Sequence, residues 1–240
     1  MADSAAARPR PGTARQNVDF PSGEGRAHGY LALPPGGHGP GLIVVQEWWG
    51  LTGHIADLVD RFAAEGFVAL APDLYGGPAT HDRAEAAELL RKLPAERAVH
   101  DLRGAVDFLL GHPALAGDAV AVVGFCMGGG LALRLAALEG DRVAAVVPFY
   151  GLPREPDYDY RGLTAHVLGH FGEYDRSLPA DVVDEAAILI GEATDRRPEF
   201  HFYPAGHAFM NDENQPGSYD DLQAKIAWRR TLSFLRGHLG

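Results

Sequence analysis

Five short apolar runs, Leu42 to Val45, Phe67 to Ala71, Ala119 to Val123, Val143 to Val147 and Ala165 to Leu168, recur along the chain, with helix-forming stretches between most of them. Mostly apolar runs of this length, interrupted by His166 in the fifth, are the mark of strands buried on both faces. Strands that alternate with helices pair in parallel, with the helices covering both sides of the sheet. The pattern therefore predicts an α/β fold: one domain with a mostly parallel central sheet and helices on both faces.

The remaining elements fall around that frame. His28 to Leu33 reads as an antiparallel edge strand that stops at Pro34 and Pro35, and Glu199 to Tyr203 reads as the last strand. Helical spacing of apolar residues covers 54–65, closed by Gly66, then 83–92 and 95–111 on either side of Pro94. Further helices are predicted over 131–138, 181–190 and 222–235. Residues 1–17, rich in Ala, Pro, Arg and Gly without periodicity, are predicted to be a disordered tail ahead of a domain spanning 18–240.

One turn carries the most chemistry. Gly124-Phe125-Cys126-Met127-Gly128 lies between a buried strand and a helix, and has the form of the nucleophile elbow of the α/β-hydrolase fold with Cys in place of Ser. Side chains at Gly124 and Gly128 would collide with neighbouring backbone as the chain doubles back. The unpaired N–H groups and positive dipole end of the following helix favour a thiolate at Cys126 and can donate to a developing oxyanion. Taken alone, a single Cys after a strand is as well explained as a small buried apolar residue.

Ligands collect at the carboxyl ends of strands in an open α/β sheet, so polar residues just beyond those ends should converge. Glu47, Trp48 and Trp49 follow the first apolar run, Tyr150 the fourth, and His207 follows the last strand. Cys126, Asp175 and His207 stand in the chain order nucleophile, acid, histidine that belongs to the α/β-hydrolases. Cys126 would attack, His207 would move protons, and Asp175 would hold the imidazole, with Glu173 a rival for the acid. His166 and His170 are four apart on a strand rather than a helix, so they imply no metal site, and nothing else in the sequence asks for a cofactor.

Composition narrows the partners. The formal charge is 21 minus 32, or -11, which disfavours nucleic acid and anionic membrane surfaces. No stretch approaches the ~20 apolar residues of a membrane-spanning helix. A single Cys cannot form an internal disulfide, and with no leader-like segment visible the expected location is the cytoplasm, with a monomer as the default state.

The chain resembles the dienelactone hydrolase family over nearly everything after the first two dozen residues. The resemblance rests on Gln46-Glu47-Trp48-Trp49-Gly50, Ala71-Pro72-Asp73-Leu74-Tyr75, Gly124-Phe125-Cys126-Met127-Gly128-Gly129, Gly172-Glu173-Tyr174-Asp175 and Tyr203-Pro204-Ala205-Gly206-His207-Ala208-Phe209. It implies a triad of Cys126, Asp175 and His207, with Glu47 touching the resting thiol and helping to generate thiolate. It also implies an oxyanion hole from the backbone N–H groups of Trp48 and Met127.

Two positions depart from the family pattern. Asn211 stands where the family has an arginine for a substrate carboxylate, and Ala208 stands where it has a serine. Arg83 and Arg91 are the alternatives for a second arginine. Trp48, Trp49, Tyr75, Phe125, Tyr150 and Phe209 are expected to line an apolar pocket, with Arg83 and Asn211 as further substrate contacts. The expected activity is cysteine-dependent cleavage of a small lactone or carboxylic ester through an acyl-enzyme. The alternatives are a general carboxylesterase, or a catalytically silent binding protein on the same fold.

Overall fold

The computed structural model describes residues 15–23, 25–153, 155, 158–213 and 218–239. The strands are β1 (Val18–Ser22), β2 (Gly25–Ala32), β3 (Gly39–Val45), β4 (Val68–Pro72), β5 (Leu115–Phe125), β6 (Val143–Phe149), β7 (His166–Gly172) and β8 (Glu199–Tyr203). They form one sheet in the order β1-β2-β4-β3-β5-β6-β7-β8. β2 runs antiparallel to both β1 and β4, and every pair from β4 to β8 is parallel.

Among the described residues six α-helices cover the sheet: α1 (Gly53–Ala64), α2 (Arg83–Lys92), α3 (Ala95–Leu110), α4 (Met127–Glu139), α5 (Ala180–Thr194) and α6 (Asp221–His238). Successive strand residues serve opposite cores, because side chains alternate across a pleated sheet. Leu42 and Val44 of β3 join Leu58, Val59 and Phe62 of α1 and Leu235 of α6. Ile43 and Val45 join Leu102, Val106 and Leu109 of α3 and Leu133 of α4 on the other face. Full burial of each such side chain contributes about 1.5–3 kcal/mol, so both faces hold the sheet in place. None of the helices in the described residues is long and apolar enough to cross a membrane.

One strand is not foreseen in the sequence. β1 is the true edge, and β2, read as the edge from His28 onward, lies second. β1 is only five residues long and contains Pro21, which an edge strand tolerates because its N–H side can face solvent. Phe20 on its inner face is fully buried. Of the expected tail, 1–14 lies outside the described residues, while Asn17 exchanges hydrogen bonds with the Leu31 backbone and Gln16 donates to Asp73.

The topology itself sets the site. The chain leaves β3 toward β4 on one side and returns to β5 on the other, so a crevice opens between the carboxyl ends of β3 and β5. Glu47 and Trp48 come just past Gln46 at the end of β3, and Cys126 directly follows β5.

Candidate active site

The turn after β5 is as tight as its glycines suggest. A Cβ on Gly124 would lie 2.0 Å from the Gly128 carbonyl oxygen, and one on Gly128 would lie 2.5 Å from the carbonyl oxygens of both Val45 and Gln46. The elbow is thereby pressed onto the end of β3. Cys126 itself has φ 54° and ψ -118°, a conformation that L-residues rarely adopt. Tyr150 (φ 39°) and Ala208 (φ 58°), next to His207, share the positive φ. Strain of about 1–3 kcal/mol at each such position is characteristic of functional sites.

Cys126, His207 and Asp175 come together in a line. His207 Nε2 lies 3.2 Å from Cys126 Sγ, and His207 Nδ1 lies 2.6 Å from Asp175 Oδ2. Ser177 completes the far end: its backbone N–H and hydroxyl donate to Asp175 Oδ1 at 2.9 and 2.6 Å, and the hydroxyl lies 3.2 Å from His207 Nδ1. Burial alone would raise the Asp175 pKa, but the hydrogen bonds from His207 and Ser177 outweigh it and hold the carboxyl low. Burial likewise opposes a charge on His207. Its bonds to Asp175 and Cys126 overcome that and push its pKa up to about 10. Of the rival acids, Asp175 holds the histidine and Glu173 is exposed.

Glu47 takes a different place from the one its resemblance implies. It is 2% exposed, and its carboxylate accepts from the Tyr150 hydroxyl at 3.1 Å and from the Asn211 amide. The thiol is held by His207 instead. Burial pushes the Glu47 pKa up, against the pull of nearby His54 and of the Asn211 and Tyr150 donors. Burial and the neighbouring Glu47 push the Tyr150 phenol well above its usual value, so it stays a donor.

A cleft of about 390 Å³ opens over Cys126 and His207, with Trp48, Met127 and Tyr150 in its walls. Six other side chains expected there lie elsewhere. Phe125 is fully buried and stacked on Phe149 at 4.8 Å, because it is the last residue of β5 and points into the core. Phe209 is fully buried against Tyr203, and Trp49 is buried against Trp48 at 4.7 Å. Tyr75 stands behind the wall, donating to the Trp48 carbonyl at 2.9 Å and touching Met127 Sδ at 3.9 Å. Asn211 is held inward by Glu47, and Arg83 is exposed at the start of α2, outside the cleft, as is Arg91.

An arginine that does line the cleft is Arg134 on α4, which the sequence reading passes over. Its signal was available, since Met127, Gly130, Leu131 and Arg134 are spaced as one helical face running on from Cys126. Ser177 carried no comparable signal. His166 and His170 are not brought together: His170 is buried between Tyr203 and Thr231, and His166 stacks on His238 at 3.9 Å. Among the described residues no three His, Cys, Asp or Glu side chains are grouped to hold a metal ion.

A sheet of this order, with a strained Gly-x-Cys-x-Gly turn at its topological switch point, defines an α/β-hydrolase. Comparison with known proteins narrows the class. The dienelactone hydrolase family profile matches residues 27–239. The chain is 34% identical over 226 residues to carboxymethylenebutenolidase of Pseudomonas sp. strain P51, covering 89% of this chain and 91% of that protein. It is 33% identical over 231 residues to protein usf of Aquifex pyrophilus, covering 93% and 99%. A solved structure of a dienelactone hydrolase-like promiscuous phosphotriesterase from metagenomic libraries superposes with a TM-score of 0.81 at 26% identity, covering 95% of this chain and 100% of that one. The chain belongs to the dienelactone hydrolase family and is an ester or lactone hydrolase.

Proposed function

We propose that the hydrolase works by covalent catalysis at Cys126, with His207 and Asp175 completing a triad and no cofactor. The observation that carries this reading is the continuous line from Sγ to Nε2 at 3.2 Å and from Nδ1 to Asp175 at 2.6 Å, opening onto a cleft. The His207 imidazolium, whose pKa is pushed up to about 10, lies 3.2 Å from Sγ, where its charge favours a thiolate as the attacking species.

The thiolate adds to the carbonyl carbon of the ester or lactone, and the carbonyl electron pair moves onto oxygen. Backbone N–H groups of Trp48 and Met127 receive that oxyanion. Both residues line the cleft beside Cys126, and Tyr75 braces them together. Loss of one such donor costs about 3 kcal/mol in barrier. Collapse of the adduct breaks the bond to the leaving oxygen, which takes its proton from His207 and leaves a thioester on Cys126. In a lactone the released hydroxyl stays attached to the acyl group. Neutral His207 then takes a proton from water as the water attacks the thioester. Collapse of the second adduct releases the carboxylic acid and returns the thiolate and imidazolium. Asp175 holds the ring and stabilises its charge throughout.

Glu47 supports the site through its charge near His207 and its hold on Tyr150, whose ring lies edge-on to the imidazole at 5.2 Å. The unpaired thiol of the single cysteine agrees with a reducing compartment such as the cytoplasm.

The test is a rapid-mixing experiment with a p-nitrophenyl ester, followed by mass spectrometry of the quenched protein. An acyl adduct on the Cys126 peptide, and loss of turnover in Cys126→Ala with native circular dichroism, are expected. Full turnover by Cys126→Ala would overturn the mechanism.

A further inference from the structure

The cleft has a direction. Met127, Gly130, Leu131 and Arg134 line it at intervals of three, one and three residues, which puts them on one face of α4. At a rise of 1.5 Å per residue this stripe leads away from Cys126 for about 10 Å, the length of a chain of about eight carbons. Leu90 and Leu93 at the end of α2 and Leu152 and Pro153 after β6 add further aliphatic lining. At Gly130 a Cβ would lie 2.5 Å from the Leu152 carbonyl oxygen, so the glycine lets the segment after β6 close onto the helix.

The far end of the stripe is polar and already matched in charge. Arg134 forms an ion pair with Glu155, and its guanidinium lies 5.0 Å from the centre of the Tyr158 ring. Glu155 also lines the cleft. An anionic group arriving there would compete with Glu155 for Arg134 and meet its like charge, which disfavours a charged tail.

We propose that the substrate carries an uncharged apolar chain that lies along α4, and that the Arg134–Glu155 pair ends the groove and limits the length of that chain. This rests on the assignment of Cys126 as the attacking group, since the chain is measured from there. The chain can belong to the acyl or to the alcohol part of the ester, and the two are separated by experiment.

The test uses the wild-type enzyme with p-nitrophenyl esters from acetate to tetradecanoate, and in parallel with acetates of alcohols of the same lengths. One series is expected to gain about tenfold or more in kcat/KM between two and eight carbons, because each added methylene is buried, and to level off or fall beyond about ten. Arg134→Leu and Glu155→Gln are expected to move that limit to longer chains. Flat profiles in both series, with acetate still cleaved, would overturn the proposal and leave the Cys126 mechanism standing. Absence of turnover on every ester would overturn both. A p-nitrophenyl hemi-ester of adipic acid cleaved faster than the hexanoate would also overturn it, by showing that Arg134 takes a carboxylate. An unmoved limit in both variants would show that the ion pair does not end the groove.

Discussion

The side-chain amide of Asn211 donates to the carboxylate of Glu47, across 164 positions of sequence and out of contact with solvent. The other oxygen of the same carboxylate is taken by the Tyr150 hydroxyl. A residue that stands where the family pattern has a substrate-binding arginine therefore serves the interior of the site. The turn that delivers it, closed by the Asn211 N–H to the Ala208 carbonyl at 2.9 Å, begins one residue after His207.

Removing that amide leaves a buried carboxylate oxygen without its donor. Asn211→Ala is expected to lower the free energy of unfolding by about 1–3 kcal/mol, measured by urea denaturation at neutral pH. A change below about 0.5 kcal/mol would show that Glu47 does not depend on it.

The charge of Glu47 favours the imidazolium form of His207, and the effect is reciprocal. In Glu47→Gln this support is lost while the shape is kept. Single-turnover acylation is expected to slow by about tenfold, with native circular dichroism. An acylation rate equal to that of the wild type would refute the role.

The pKa of His207 is raised from its ordinary value of 6.5 to about 10. The charged pairing with Asp175 therefore contributes stability that is complete below about pH 6.5 and is lost as pH rises toward about 10. Unfolding of the wild type and of His207→Gln, compared across that window, should show a difference that shrinks with rising pH. In the same range kcat/KM should fall as His207 loses the proton it gives to the leaving group. A stability difference that grows with pH would contradict the assignment.

The parts of the site that could be read in the sequence are those fixed by strand ends. Cys126 after β5 and Asp175 after β7 follow largely apolar runs that make buried strands, His207 follows the aromatic-rich β8, and parallel pairing brings those ends to one edge. The glycines around Cys126 were legible for the same local reason, since a reversal that tight leaves no room for a Cβ. β1 was not legible: five residues with a proline show little periodicity, and they become a strand only because β2 and α3 lie beside them.

The sequence by itself determined the fold class, the chemical groups and their order, because burial patterns and tight turns are local properties of the chain. Which side chains face the substrate was decided only by the tertiary structure. Phe125 is the last residue of β5, and Phe209 and Asn211 lie on the loop after β8, yet they point into the core or onto Glu47, while Tyr150, directly after β6, lines the cleft. Their directions depend on the left-handed backbone at Cys126, Tyr150 and Ala208, and distant contacts hold that backbone there. Among these are Tyr150 N–H on the His170 carbonyl and Cys126 N–H on that of Phe149. Arg134 reaches the cleft for a matching reason, since a helix begun at Cys126 returns the same face every three or four residues.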